Sequence, residues 1–193
     1  MDGPTSPRVL QVLPSAAAAV TDLVEGVPAG RWDAPTPCEG WDVRTLVNHL
    51  TAEHLWAPRL LAGESPADVG DAYDGDVLGE DPVGAWRSAV TSSLLAWADV
   101  EDPARTVEVS AGALPVTEYA AQMLVDLVVH GWDLAVATGQ PYTPAAEAVA
   151  EARAYEEPRV AAGGLEGLFA PPVPTASDAP LDRLVAMLGR APG

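Results

Sequence analysis

Val116 to Ala137, VTEYAAQMLVDLVVHGWDLAVA, is the stretch on which the fold turns. Leu124, Val125, Leu127, Val128, Val129 and Trp132 spread apolar side chains around most of a helical circumference, and a helix apolar on all sides belongs in a core. Into that run the sequence sets Asp126 and His130, four residues apart, with Asp133 about one turn further on. At 3.6 residues per turn Asp126 and His130 stack on one face, with Tyr119, Met123, Asp133 and Leu134 near it. Carboxylates carried into or beside a core are costly unless partnered. Two readings stand at this point. Asp126 and His130 can share a divalent metal ion, with a third ligand from a neighbouring helix; or Asp126 holds His130 by a hydrogen bond while Asp133 points to water at the helix edge.

The third ligand is sought upstream, where the other two histidines lie. Asp42 is suited to cap a second helix, with Trp41 before it stapling onto Leu46. Val43, Leu46, Val47, Leu50, Ala57 and Leu61 form its apolar stripe, and Pro58 bends or ends it. On an ideal wheel His54 falls about 40° from the centre of that stripe, Glu53 about 60° to the other side and His49 about 100° away. Periodicity alone therefore turns His54 inward. The two histidines are about 140° apart around the axis, so they do not bind the same ion.

The rest of the chain is read as helices joined by loops. Arg8 to Glu25 has helical periodicity, with Pro14 marking a kink or the true first turn. Glu64 to Asp81 is acidic and aperiodic, hence a solvated loop. Pro82 to Trp97 is a helix capped by Asp81. Thr106 to Ser110, TVEVS, alternates but is short, and reads as an extended connector broken by Gly112 before Pro115 starts the central helix. Gly139 takes the C′ position of that helix. Pro144 to about Ala162 forms a helix stopped by Gly163-Gly164, and Pro180 to Leu188 a last short one with Leu181, Leu184, Val185 and Leu188 inward. The expectation is one all-α domain over residues 1–193, a bundle of four main helices with short C-terminal helical additions.

Charge narrows the partners. A net charge of −18, with ten Arg and no Lys, excludes nucleic acid and an anionic membrane surface, which would repel the chain. A small-molecule substrate is the better expectation. Cys38 is the single cysteine, so no internal disulfide forms. No leader pattern opens the chain and no apolar run approaches the ~18 residues of a spanning helix, so the reading is cytoplasmic.

Three stretches in series, TPCEGWDVRTLVNHL at 36–50, VVHGWDLAVATGQ at 128–140 and FAPPVPTASDAPLDRLVAMLGRAP at 169–192, resemble the actinobacterial branch of the DinB-like metalloenzymes. That branch includes the N-terminal domain of mycothiol-dependent maleylpyruvate isomerase. The resemblance implies a four-helix bundle with one divalent ion held by His49, Asp126 and His130. It favours His49 over His54, against the wheel. Asp126 stands where a glutamate would be commoner; being one methylene shorter, it would draw the ion closer to its helix or bind it less firmly. Zinc is the preferred ion, and nickel or iron suit the same ligands.

Three protein ligands leave coordination positions open, as catalytic sites do. An ion there lowers the pKa of a bound thiol or of water. In the first case a mycothiol-type co-substrate brings the nucleophile and the chain acts as a transferase or isomerase on a small electrophile. In the second it is a hydrolase of an amide or ester. A third reading is a non-catalytic metal- or ligand-binding bundle. Asp133 is placed to orient an imidazole from behind. Arg44, Arg59 and Arg87 are candidates for a substrate carboxylate and Tyr119 for a proton donor. Cys38 reads as a small packed hydrophobe, and Trp56 and Trp86 as core. A homodimer is one arrangement that would cover exposed Trp side chains.

Overall fold

The computed structural model describes residues 7–163 and 169–193, and it is mostly helical, with 59% helix and 6% strand. Four long helices pack around one core: α1 (Arg8–Glu25), α2 (Val43–Leu61), α4 (Pro82–Ala98) and α5 (Val116–Thr138), with the four-residue α3 (Pro66–Val69) inside the acidic loop. α2 lies on α4 and α1 on α5, and α1 also meets α4 and α2 meets α5, so the four close a ring. Their inward residues follow the sequence stripes. In α1, Val9, Val12, Leu13, Ala16, Ala17, Val20, Leu23 and Val24 recur at helical spacing and are buried. Pro14 sits inside α1 and Pro58 inside α2 without ending either helix. Asp42 caps α2 by accepting from the Thr45 amide at 2.7 Å, and Asp81 caps α4 by accepting from the Gly84 amide at 3.0 Å.

The expected plan needs correction in two places. A fifth long helix, α6 (Ala146–Ala161), packs on α5 and α1, and the short α7 (Pro180–Met187) packs on α6 and α5, so the C-terminal part is structural rather than an appendage. Gly164, expected to help stop α6, lies outside the described residues. The all-α expectation also misses a hairpin. Thr106–Val109 (β1) pairs antiparallel with Gly112–Pro115 (β2), Val107 opposite Leu114. GALP offered no strand signal, because Gly and Pro are poor strand formers, and Gly112 begins β2 with φ 117° instead of breaking the chain. β2 runs straight into α5, where the Val116 amide donates to the Arg105 carbonyl at 2.9 Å.

α5 is the spine. Its 23 residues end at Gly139, which adopts the left-handed conformation with φ 72° expected at a C-cap. It is long and apolar enough to cross a membrane by length and composition, contrary to the expectation that no run approaches such a span, but 72% of its most apolar window is buried inside the protein. Its apolar surface is spent on α1, α2, α6 and the hairpin.

His54 points into the core, as the wheel requires. It is fully buried, meets Trp86 edge-on at 5.2 Å, and neither ring nitrogen has a hydrogen-bond partner among the described residues. Burial pulls its pKa down to about 4 from 6.5. The folded state thus refuses a proton that the unfolded chain accepts. This contribution is intact above pH 6.5 and is lost as pH falls from 6.5 toward 4, up to on the order of 3 kcal/mol. Urea denaturation from pH 7 to pH 4.5 is expected to show this fall in the parent and a shallower one in His54→Leu; parallel slopes would remove His54 as the cause.

Candidate metal centre

The loop before α2 is tightly built. The Thr36 amide donates to the Trp41 carbonyl at 2.9 Å, the Trp41 amide to the Cys38 carbonyl at 3.0 Å, and the Cys38 amide to the Thr36 hydroxyl at 3.1 Å. That turn delivers Trp41 onto two histidines. Its ring lies 5.0 Å from His49 and is stacked 5.9 Å from His130, so Trp41 packs at the site instead of merely stapling the helix start.

Below Trp41, three ligand atoms converge from two helices. His49 Nε2 on α2 is 3.7 Å from Asp126 Oδ2, and His130 Nε2 is 4.0 Å from Asp126 Oδ1 on α5. One donor atom from each of His49, Asp126 and His130 lies within 4.8 Å of the other two. Zinc bonds of ~2.0–2.2 Å set tetrahedral ligand atoms roughly 3.4 Å apart, so the cluster fits one ion after a small contraction. The donor set, two imidazoles and one carboxylate, suits a borderline divalent cation. Without an ion the three groups are electrostatically coupled. Burial acts to deprotonate His49, but Asp126 beside it outweighs that and raises the imidazole above its ordinary value. Burial would likewise raise Asp126; His49 and His130 reverse the effect and hold it below the usual carboxylate range.

Asp133 does not point to water. It is fully buried, two turns along α5 from Asp126, and its Oδ2 lies 2.9 Å from His130 Nδ1. A carboxylate on Nδ1 leaves that nitrogen protonated and turns the Nε2 lone pair toward Asp126 and His49. Arg190, from the segment after α7, then clamps Asp133 from behind, with Nη2 to Oδ2 at 2.8 Å and Nε to Oδ1 at 3.2 Å. Burial alone would raise Asp133, but His130 and Arg190 more than reverse it and lower its carboxyl. Gly189 permits the clamp, since at φ 83° a Cβ there would sit 2.7 Å from the Ala170 carbonyl oxygen.

The cluster opens on a cavity of about 770 Å³, lined by Cys38, Trp41, His49, Asp126 and His130 together with Gln122, Glu156, Arg159, Phe169 and Arg190. Burial pushes the Cys38 thiol up, only partly offset by Arg190, so it stays a protonated thiol at neutral pH.

Several expected roles find no support. Arg44 is bound to Asp76 at 2.8 Å, Arg59 to Glu64 at 2.6 Å and Arg87 to Glu25 at 2.6 Å, and none of them reaches the cavity. Tyr119 is buried against Trp97 at 5.2 Å and does not line the cavity, and burial lifts its phenol far above the ordinary value. Trp86, by contrast, is core as expected, fully buried with Nε1 donating to the Thr21 hydroxyl at 2.9 Å. The cations at the cavity are Arg159 and Arg190, which sequence spacing did not single out, although Arg190 stands in the third family-like stretch.

A helical protein with a His-Asp-His cluster open to a cavity belongs to a class of candidate metalloproteins. Within it the family is definite: the chain matches the mycothiol maleylpyruvate isomerase N-terminal domain over residues 13–135, and it belongs to that family, part of the DinB-like superfamily. The match runs from within α1 to near the end of α5 and contains His49, Asp126, His130 and Asp133. Two uncharacterized proteins, from two strains of Mycobacterium tuberculosis, are each 30% identical to the chain over 176 residues, covering 89% of this chain and 92% of theirs. No solved structure matches it.

Proposed function

We propose that the protein is a cytoplasmic metal-dependent enzyme of the DinB-like four-helix type, which uses a mycothiol-type low-molecular-weight thiol as co-substrate to transfer to, or isomerise, a small electrophile. The observation that carries this reading is the meeting of His49, Asp126 and His130 at the wall of an open cavity in a chain of this family. Those three residues would hold one divalent ion, zinc by preference. When bound, the ion supplies the Lewis acidity that makes a thiol nucleophilic at neutral pH. The chain's own residues do the rest. Asp133 fixes the His130 tautomer, Arg190 fixes Asp133, and Trp41 lies against both imidazoles. The nucleophile comes from outside, because Cys38 is kept protonated by burial and is the only cysteine.

The test is consumption of 1-chloro-2,4-dinitrobenzene by the zinc-loaded chain with mycothiol supplied. Thiol-dependent turnover that falls to background in His49→Ala supports the reading. Hydrolysis of amide or ester substrates with no thiol present would replace it with metal-water chemistry, and neither activity at full metal occupancy would leave a binding protein.

A further inference from the structure

Arg159 differs from the other arginines that the structure ties down. Arg44, Arg59, Arg87 and Arg190 each donate to a carboxylate at 2.6 to 2.8 Å. Arg159 lines the cavity, and among the described residues it makes no carboxylate contact shorter than 3.5 Å. Its nearest carboxylates are Glu156 Oε2 at 3.5 Å from Nε and Glu118 Oε1 at 3.9 Å from Nη1, and both Nε and Glu156 Oε2 are shielded from solvent without a hydrogen-bond partner. A buried guanidinium N–H without an acceptor costs free energy and calls for an explanation. The side chain is held in place all the same: Glu156, 3% exposed on the same helix, sits one turn below, and the guanidinium rests over the Tyr155 ring at 4.9 Å. It is therefore aimed but not saturated. Glu118 and Glu156 balance its charge, and the residue lines the cavity that also holds Asp126 and the histidines.

We infer that Arg159 is the anion-recognising residue of this cavity, binding a carboxylate on the substrate while the His49, Asp126 and His130 wall faces its reactive part. Glu156 is its positioning residue. A substrate carboxylate would give the guanidinium a closer partner than either glutamate does. The inference deepens the reading above by naming the substrate class and rests on the same cavity, but it does not need the metal.

The test separates the two. Benzoate, its neutral counterpart benzamide, and inorganic phosphate are titrated into the chelator-treated full chain and again after zinc loading, following binding by calorimetry and the Arg159 Nε–H resonance, assigned by its loss in Arg159→Lys. Benzoate is expected to bind without metal and to move that resonance, and Arg159→Gln to weaken it about 10- to 100-fold while benzamide is unaffected. Circular dichroism confirms that the variant is folded. Benzoate binding that is unchanged in Arg159→Gln, that appears only after zinc loading, or that is absent from the parent would overturn the inference. Phosphate bound through Arg159 in place of benzoate would overturn the carboxylate assignment. None of these outcomes bears on thiol transfer, which His49→Ala tests separately.

Discussion

Arg190→Ala is expected to unfold at markedly lower denaturant than the parent, with a loss of about 3–5 kcal/mol. Asp133 has no exposure to water, and its two oxygens are satisfied by His130 and by both ends of the Arg190 fork. Removing the arginine leaves a buried carboxylate with one partner, and the desolvation cost of that charge then goes largely uncompensated. Arg190 also donates to the Leu188 carbonyl at 2.9 Å and lies over Phe169 at 5.3 Å, so the C-terminal segment loosens with it. Removing both charges together, Asp133→Leu with Arg190→Met, is expected to cost much less than Arg190→Ala, because no unpaired charge remains. A double variant as unstable as the single one would show that packing, not charge, dominates there.

The second large effect concerns affinity for the ion. His49→Ala and His130→Ala each leave two of the three proposed ligands, and each is expected to weaken zinc binding by more than about 100-fold in competition with a chelator. That bound comes from the 10–100-fold that loss of a residue behind the ligand already costs, which is the effect expected for Asp133→Asn. The ordering is the informative part. Asp133→Asn should fall between the parent and either histidine variant, since Nε2 stays present but loses the group that turns it toward the site. Equal zinc affinity in all four proteins would mean that the ion binds elsewhere.

How much of this was legible in the sequence depends on whether a residue's role is local. The helices carried their own signals, because each buries apolar residues at helical spacing and the caps of α2 and α4 are side chains three residues from their partners, Asp42 and Asp81. Asp126, His130 and Asp133 lie on one helix, so their shared face followed from spacing. His49 did not: periodicity turned His54 inward, and it is inward, whereas His49 lies at the border of the apolar stripe because there α2 meets a cavity and not the core. Only the likeness of VNHL to a family pattern pointed to it. The hairpin was missed since β2 is GALP, whose pairing comes from its neighbour and not from propensity. Arg159 and Arg190 were missed for a related reason. They reach the cavity from α6 and from the chain after α7, and nothing in local spacing tells an arginine facing a cavity from one paired on the surface, as Arg44, Arg59 and Arg87 are.

The central claim is the metal centre, and elemental mass spectrometry of the untagged, purified chain tests it most directly, with Asp126→Ala as the matched control. Close to one divalent ion per chain is expected in the parent, with a large loss in Asp126→Ala. No ion in the parent, with none taken up from added zinc, nickel or iron, would contradict it and leave His49, Asp126 and His130 as a polar cluster at the wall of a ligand cavity.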